Sequence, residues 1–356
     1  MGFKKASGRA FAARLLQWHH SVNQRKMPWK GVKDPYRVWL SEVILQQTRV
    51  EQGLTYYERF IETYPTIHDL AMAPDDEVLK LWEGLGYYSR CRNLLKTARY
   101  IAYELNGNFP STYTSILALT GIGPYTAAAI ASFAFDLPYA VVDGNVIRVL
   151  SRYFGIEEAV DLPETRKRLN VLAQDLIDQT QPAAYNQAIM DFGATVCKPR
   201  QPLCGSCPFK LTCVALKKNR VEQIPFKSKK LVRSQRFFHY IIFEFQRKVY
   251  IRKRLDKDIW QGLFEFFLLE ADQLLATETI LASDEVKRIA GKGSTLVYES
   301  MNMKQQLTHQ EIIGKFVHVR LASPAKGLEH MTAVDLSAVR KLAFPKFIVS
   351  FMNEKL

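Results

Sequence analysis

Two glycines mark the turn in the stretch Leu119-Thr120-Gly121-Ile122-Gly123-Pro124-Tyr125. The segments on either side, Thr112–Leu119 and Tyr125–Phe135, have patterns that predict two short helices. Glycine lets the backbone turn tightly and leaves N–H groups exposed where the second helix begins. Exposed donors at the positive end of a helix dipole bind phosphate well. The stretch therefore predicts a helix–turn–helix unit with a phosphate site, and a plain turn between two helices is the alternative.

The chain carries an excess of positive charge. Its 356 residues include 49 Lys or Arg and 35 Asp or Glu, which gives a net charge of +14. Such a balance indicates a polyanionic partner, either nucleic acid or an anionic membrane surface. No stretch holds the 18 or more apolar residues that a membrane span requires, which favours nucleic acid and a soluble, intracellular protein. In this basic context, the glycine turn is predicted to be a helix-hairpin-helix that grips DNA.

The first part of the chain, residues 1–217, is predicted to be mainly helical. Asp34-Pro35 provides a capping side chain and a proline for the first turn of a helix. Near the start, Phe11, Leu15 and Trp18 repeat at helical spacing and predict a first helix.

The pattern changes beyond that helical domain. Residues 218–236 are polar and basic with no periodicity, which is typical of a linker. In Phe237–Phe245, alternate residues are predicted to share one face of a strand, with Val249-Tyr250-Ile251 as its hairpin partner. Asp284–Ile289 fits a helix. The sequence thus predicts an α+β domain at residues 237–356.

Four of the five cysteines fall in one short segment, Cys197-x6-Cys204-x2-Cys207-x5-Cys213. Such crowding indicates a metal site built from four thiolates. Zinc sites usually contain two close cysteine pairs, whereas this segment has one Cys-x2-Cys pair. A single loop that donates four thiolates suits an iron–sulfur cluster better, and zinc is the alternative.

Two acidic residues stand out in the helical domain. Asp143 precedes a helical pattern, where its carboxylate can cap the helix and the dipole favours the ionised form. Glu42 lies on an apolar stripe with Val38 and Leu45, so we expect it to be desolvated, with a raised pKa and a bound proton. Capping alone is the alternative for Asp143, and a buried structural hydrogen bond is the alternative for Glu42.

A neutral acid paired with an anion suits the cleavage of a glycosidic bond through an oxocarbenium-like transition state. One carboxyl group protonates the leaving group, and the other stabilises or captures the sugar cation. The hypothesis fails if the two side chains lie on separate surfaces with no cavity large enough for a nucleobase between them.

The chain resembles the MutY-type adenine DNA glycosylases of the endonuclease III superfamily. The resemblance rests on the hairpin, the cysteine spacing and three further motifs: Ser41–Val50 (Ser-Glu-Val-Ile-Leu-Gln-Gln-Thr-Arg-Val), Trp82–Arg90 (Trp-Glu-Gly-Leu-Gly-Tyr-Tyr-Ser-Arg) and Val142–Val146 (Val-Asp-Gly-Asn-Val). It implies a helical two-lobed catalytic region with a 4Fe–4S cluster, followed by a Nudix-like domain. It also implies removal of adenine mispaired with 8-oxoguanine in double-stranded DNA, by a monomer located in the cytoplasm or at the nucleoid.

The resemblance assigns roles to four catalytic residues. Glu42 would protonate adenine at N7, and Asp143 would stabilise the oxocarbenium ion or trap it covalently. Tyr125 stands where lyase-competent relatives carry lysine, so the enzyme is expected to be monofunctional, because a Schiff base needs an amine. Asn145 would orient Asp143 or the attacking water.

The resemblance also implies binding residues. Those that would line the adenine pocket are Arg25, Met27, Trp29, Leu45, Val50 and Gln187. Those that would contact DNA are Gln47, Thr48, Leu85 and Tyr87 around the lesion, Gly121 and Gly123 in the hairpin, and Thr308 and His309. Leu307-Thr308-His309 stands where the family has a phenylalanine–serine–histidine loop that reads 8-oxoguanine, so leucine here replaces the aromatic. Trp260–Phe266 matches a segment of the family's second domain, and without a Nudix box pyrophosphate hydrolysis is not expected.

Two other functions remain open at this stage. An endonuclease III-like pyrimidine glycosylase-lyase would share the hairpin and the cysteines, but it would carry the lysine that Tyr125 replaces and would lack the second domain. A non-catalytic DNA-binding iron–sulfur protein would need neither Glu42 nor Asp143.

Overall fold

The computed structural model describes residues 5–228 and 232–355 and divides into two compact units. The first unit takes its described residues from Met1–Ala71 and Lys96–Lys230, and the second from Met72–Leu95 and Leu231–Leu356. Residues 72–95, which belong to the helical part of the sequence, thus pack with the C-terminal part. The domain boundaries at residues 217 and 237 stay a prediction.

Helices dominate the chain up to residue 217. They are α1 (Lys5–Ser21), α2 (Pro35–Leu45), α3 (Val50–Thr63), α4 (Ile67–Met72), α5 (Asp75–Leu81), α6 (Tyr88–Arg99), α7 (Tyr113–Leu117), α8 (Pro124–Phe135), α9 (Gly144–Phe154), α10 (Pro163–Leu176), α11 (Pro182–Thr195) and α12 (Val214–Lys217), with a π-helical turn at Tyr100–Glu104 and a 3-10 turn at Cys204–Ser206. No helix among residues 5–228 and 232–355 combines the length and apolar character needed to cross a bilayer.

The predicted caps begin these helices. Asp34 precedes Pro35, and its carboxylate accepts a hydrogen bond from the Tyr36 N–H. The Asp143 carboxylate likewise accepts a hydrogen bond from the Val146 N–H. Phe11 and Leu15 of α1 are buried in a core that they share with side chains of α9, α10 and α11. This core holds α9 and α11 in place, and these two helices carry Asp143 and Gln187 to the candidate site.

The second unit is built around a mixed sheet. Its strands are β1 (Ser234–Phe245), β2 (Lys248–Lys253), β3 (Phe264–Glu265), β4 (Phe267–Ala271), β5 (Thr295–Glu299), β6 (Met303–Gln306), β7 (Gln310–Arg320) and β8 (Thr332–Asp335), and its helices in this part of the chain are α13 (Thr277–Ala282), α14 (Asp284–Ala290), α15 (Leu336–Val339) and α16 (Lys346–Lys355). The main strand order is β3-β2-β1-β7-β5, with β4 also on β1, β6 on β7 and β8 on β2. The long strands β1 and β7 are parallel, from Ser234 opposite Gln310 to Glu244 opposite Arg320, and the other pairs are antiparallel.

Alternate residues of β1 lie on opposite faces of the strand, as predicted, and both faces are buried. Ile241 and Phe243 pack on a core that includes side chains of α13 and α14. On the opposite face, Tyr240 is buried as well, and its ring packs against Phe316 and against Phe347 of α16. Helices on both faces therefore remove the contrast between alternate residues. The predicted arrangement, a mainly helical region followed by an α+β domain, is confirmed.

Candidate active site

Glu42 is a buried acid on α2. Its neighbours Val38 and Trp39, one turn earlier, are buried too, and Glu42 itself is only 5% exposed. The Tyr125 hydroxyl, at the start of α8, donates a hydrogen bond of 2.8 Å to Oε2 of Glu42. Burial is the main reason that the pKa of Glu42 is raised to about 7; the Tyr125 hydrogen bond opposes this rise, and the charge of Asp143 adds to it. A large fraction of Glu42 therefore keeps its proton at neutral pH.

Asp143 is the N-cap of α9. Its Oδ1 accepts a hydrogen bond of 2.7 Å from the Val146 N–H, and its Oδ2 accepts one of 2.8 Å from the Asn145 amide. The helix start favours the ionised form as predicted, because the hydrogen bond from the Val146 N–H lowers the pKa of Asp143, but burial has the larger effect. Burial raises the pKa of Asp143, although hydrogen bonds from Val146 and Asn145 and the Arg148 charge oppose that rise.

The two carboxyl groups and Tyr125 form one electrostatic cluster. The charge of Asp143 acts on both Glu42 and Tyr125, and burial raises the pKa of Tyr125 well above its usual value, so Tyr125 stays a neutral donor. Asp143 accepts hydrogen bonds from Val146 and Asn145 and lies near the Arg148 guanidinium. Glu42 accepts its hydrogen bond from the Tyr125 hydroxyl. Because hydrogen bonds to the charged form favour it, Asp143 ionises more easily than Glu42.

Arg148 supports this arrangement from behind, and the sequence reasoning missed it. Its guanidinium donates to the Asn145 side-chain oxygen at 2.7 Å, to the Gly193 carbonyl at 2.7 Å and to the Cys197 carbonyl at 2.8 Å. A Cβ on Gly193 would lie 2.7 Å from that of Asn145, so only glycine allows α11 to approach α9 this closely. Arg148 could have been found from the sequence, because it is a charged residue within an apolar helical stripe, as Glu42 is.

A cavity of about 460 Å³ opens beside Glu42, and three predicted pocket residues, Arg25, Trp29 and Gln187, line it. This volume falls within the range of roughly 300–1,000 Å³ that is usual for small-molecule sites. Met27, Leu45 and Val50 are partly buried and are not among the residues that line this cavity, so their role stays a prediction.

A fully buried acid that the sequence reasoning missed, Asp191 on α11, anchors one wall of this cavity. Its carboxylate accepts hydrogen bonds from Arg25 at 3.0 Å, Lys30 at 2.5 Å and Asn23 at 2.8 Å, and all three donors line the cavity. No local pattern reveals these pairs, because they join residues more than 160 positions apart.

The hairpin has the predicted form. Gly121 adopts a left-handed φ of 77°, whereas Gly123 has a φ of −94°, which any residue could adopt. A Cβ on Gly123 would find nothing within 4 Å, so the fold itself does not require glycine there. Because the fold does not require glycine at position 123, the missing side chain leaves the backbone accessible to close contact by another molecule.

The predicted DNA-contacting residues near the motifs differ in exposure. Gln47 and Tyr87 are exposed and hold left-handed φ angles of 55° and 48°, and Thr48 is partly exposed. Leu85 is only 6% exposed, so in this conformation it packs internally and is not available to enter a base stack.

Within the second unit, Tyr87 and Thr308 come together although they are far apart in sequence. The two hydroxyl oxygens lie 2.5 Å apart. Both residues line a cavity of about 700 Å³, together with His309 and Trp260. Tyr87, predicted to enter the base stack, and Thr308 and His309, predicted to contact 8-oxoguanine, thus line one cavity.

The four cysteines of the loop also come together. Cys197, Cys204, Cys207 and Cys213 line one small cavity in the first unit, and the Arg152 guanidinium lies 3.5 Å from the Cys197 sulfur. As placed, no three His, Cys, Asp or Glu side chains of the described residues form a group ready to hold a metal ion. The donor set nevertheless fits an iron–sulfur cluster, because the donors are all sulfur and a cation lies beside them.

Two family models match successive parts of the chain. Residues 40–175 match the HhH-GPD superfamily of base excision DNA repair proteins, and residues 239–354 match the NUDIX domain. An adenine DNA glycosylase of Buchnera aphidicola subsp. Baizongia pistaciae is 38% identical over 261 residues, which are 72% of this chain and 73% of that relative. The chain belongs to the adenine DNA glycosylase family.

Other members of the family and solved structures agree. The human adenine DNA glycosylase is 44% identical over 223 residues, which are 60% of this chain and 40% of the human protein. The structure of a thermostable thymine-DNA glycosylase matches with a TM-score of 0.55 and 30% identity, covering 60% of this chain and 98% of that one. An endonuclease III–DNA complex at 23% identity and a TM-score of 0.53 shows the shared fold, over 61% of this chain and 99% of that one.

Family membership confirms three predictions made from the sequence: the adenine glycosylase family, the fold class, and an enzyme of the DNA glycosylase class. The roles of individual residues are inferred from the geometry of the site.

Proposed function

We propose that this protein is a monofunctional glycosylase that hydrolyses the N-glycosidic bond of adenine paired with 8-oxoguanine in double-stranded DNA. The observation that carries the proposal is the buried Glu42, with a pKa of about 7, held by Tyr125 beside Asp143 and at the wall of a cavity. The relatives named as adenine DNA glycosylases support the choice of base.

The reaction needs both carboxyl groups. The target nucleotide is flipped out of the duplex so that its base enters the Glu42 cavity. Glu42 then gives its proton to adenine N7, and the electron pair of the C1′–N9 bond moves to the leaving base. The Asp143 anion stabilises the oxocarbenium ion. Water adds to C1′ and loses a proton to one of the two carboxylates, so that Glu42 and Asp143 together again hold one proton.

Tyr125 supports a monofunctional mechanism. A lyase step requires an amine that forms a Schiff base with the sugar. At this position the chain offers a neutral hydroxyl that binds Glu42 instead.

The cavity of Tyr87, Thr308 and His309 supports recognition of the lesion. Its hydroxyl and imidazole groups can hydrogen-bond the edge of an oxidised purine. Leu307 offers no aromatic ring to stack on a base, so hydroxyl and imidazole contacts would carry this recognition.

Cys197, Cys204, Cys207 and Cys213 would hold the proposed 4Fe–4S cluster. When bound, the cluster would cross-link the loop and fix the Cys197 carbonyl, to which Arg148 donates. Iron and labile sulfide in a 4:4 ratio per chain would support this assignment, whereas bound zinc would contradict it.

Single-turnover assays on matched duplexes test the function. We expect abasic sites where adenine faces 8-oxoguanine, and slower release where adenine faces thymine. Absence of base release from every duplex would contradict the proposal and favour a non-catalytic DNA-binding protein. Borohydride should trap no DNA adduct through an amine, and an efficient adduct would instead favour a glycosylase-lyase.

A further inference from the structure

A second cavity in the first unit, of about 400 Å³, opens on Asp143. Glu42 does not line it, and Asp143 does not line the cavity of Glu42. The two carboxyl groups of the candidate site thus belong to different cavities. A nucleotide whose glycosidic bond lies between them has its base on the Glu42 side and its sugar on the Asp143 side.

The Asp143 cavity is lined by four cations, Arg148, Arg152, Arg166 and Lys227, and by one acid besides Asp143, which is Glu222. Arg148 and Arg152 are buried and donate mainly to carbonyl oxygens.

The outer two cations, Arg166 and Lys227, are exposed. Within residues 5–228 and 232–355, none of the four cations forms a salt bridge with a carboxylate. By contrast, Arg168, on the same helix as Arg166, binds Glu158 at 2.7 Å. The four cations outnumber the two acids of the cavity, so the cavity carries a net positive charge.

We propose that this cavity binds a backbone phosphate that flanks the flipped nucleotide, with Arg166 and Lys227 as its direct contacts. The inference rests on the proposed function and adds a site to it. The flanking phosphates are bonded to the deoxyribose of the flipped nucleotide. If the Asp143 carboxylate faces C1′ of that sugar, a flanking phosphate therefore lies nearby. Arg166 comes from α10 and Lys227 from the segment after α12, so two separate elements would close on the anion. Charge-assisted hydrogen bonds to phosphate are the strong ones that position a protein on DNA.

A double-mutant cycle tests the contact by comparing duplex affinities after a change in the protein, a change in the DNA, and both changes together. The duplex carries 2′-fluoro-2′-deoxyadenosine, which resists cleavage, opposite 8-oxoguanine. The phosphate on its 3′ side, its 5′ side, or ten nucleotides away is replaced by a neutral methylphosphonate. The variant is the double substitution Arg166→Gln and Lys227→Gln, and Arg168→Gln is the matched control on the same helix.

For the wild-type protein, one flanking methylphosphonate should weaken binding by about 10-fold, and the distant one should have little effect. The double variant should bind the unmodified duplex about 10- to 100-fold more weakly than the wild type, and the slope of its log affinity against log salt concentration should be smaller by about 1–2. In the double variant, the flanking methylphosphonate should weaken binding by less than about 2-fold. Arg168→Gln should behave as the wild type on the unmodified duplex and on all three modified ones.

Two results would overturn the inference. One is a double variant that binds like Arg168→Gln, and the other is a methylphosphonate penalty that stays undiminished in the double variant. Both are read on DNA that is not cleaved, so they are independent of whether adenine is the base released. Because Arg166 and Lys227 are exposed, thermal unfolding should be unchanged in the variant, which separates lost binding from lost folding.

Discussion

The surroundings of Glu42 and of Asp143 differ in how each carboxyl group is compensated. Glu42 lies inside a helix, against apolar side chains, with the Tyr125 hydroxyl as its donor. Asp143 begins a helix, where a backbone N–H and the Asn145 amide both bind it and Arg148 lies close. Burial raises both pKa values, so the number of donors, and not burial, distinguishes the acid from the anion.

The strongest test of this comparison removes each carboxyl group in turn. Glu42→Gln has no proton to give, and Asp143→Asn has no charge to stabilise the cation. We expect each to lower the single-turnover rate of adenine release by at least about 100-fold, and by up to about 10⁴-fold for Glu42→Gln. Duplex affinity, measured in parallel, should change far less. Base release that survives both substitutions would refute the assignment of the two roles.

The Glu42 cavity also depends on a buried ion cluster. Asp191→Asn would leave Arg25 and Lys30 without their carboxylate partner and should lower the free energy of unfolding by about 3–5 kcal/mol. The control is Asp136→Asn, which breaks the exposed pair with Lys33 and should cost less than about 1 kcal/mol. Denaturant melts measure both values, and equal costs would mean that the Asp191 cluster is not held as the structure shows.

The Asp143 side depends on a close approach between helices. Gly193→Ala places a methyl group 2.7 Å from the Asn145 Cβ, so α9 must shift. We expect a loss of about 1–3 kcal/mol in stability, with a slower rate of base release at saturating enzyme. A stable variant with an unchanged rate would show that the position of Asn145 does not matter for Asp143.

The smallest effect concerns the pH profile. Because Glu42 must carry a proton and its pKa is about 7, the rate should be highest below pH 7 and fall as pH rises through that value. Tyr125→Phe removes a hydrogen bond that favours the carboxylate, so the pKa should rise and the fall in rate should move up by roughly 0.5–1 pH unit. Single-turnover rates between pH 5 and 9 measure the shift, and movement in the opposite direction would contradict it.

Local patterns predicted the features of this site that depend on neighbours in sequence. The caps at Asp34 and Asp143 follow from one residue type at a helix start, and the burial of Glu42 follows from its apolar stripe. Motif spacing was enough to identify the family. The direction of the Asp143 pKa could not be predicted in this way, because it depends on side chains packed from elsewhere in the fold.

Long-range partners account for the remaining differences. Asp191 meets Arg25 and Lys30 from more than 160 residues away, and helices placed on both faces of the sheet bury both sides of β1. Leu85 belongs to a motif that was predicted to contact DNA, yet its side chain is buried in this conformation. In each case the decisive contact is tertiary, and no local period or spacing encodes it.

The separation of the two cavities has a consequence for how the enzyme finishes its turnover. Under the proposed function, free adenine would contact the walls around Glu42 once the bond between base and sugar is cut, while the abasic strand would stay held by the cationic walls around Asp143. The small product would then depart first, and the protein would remain on the damaged strand as a cover for the reactive sugar.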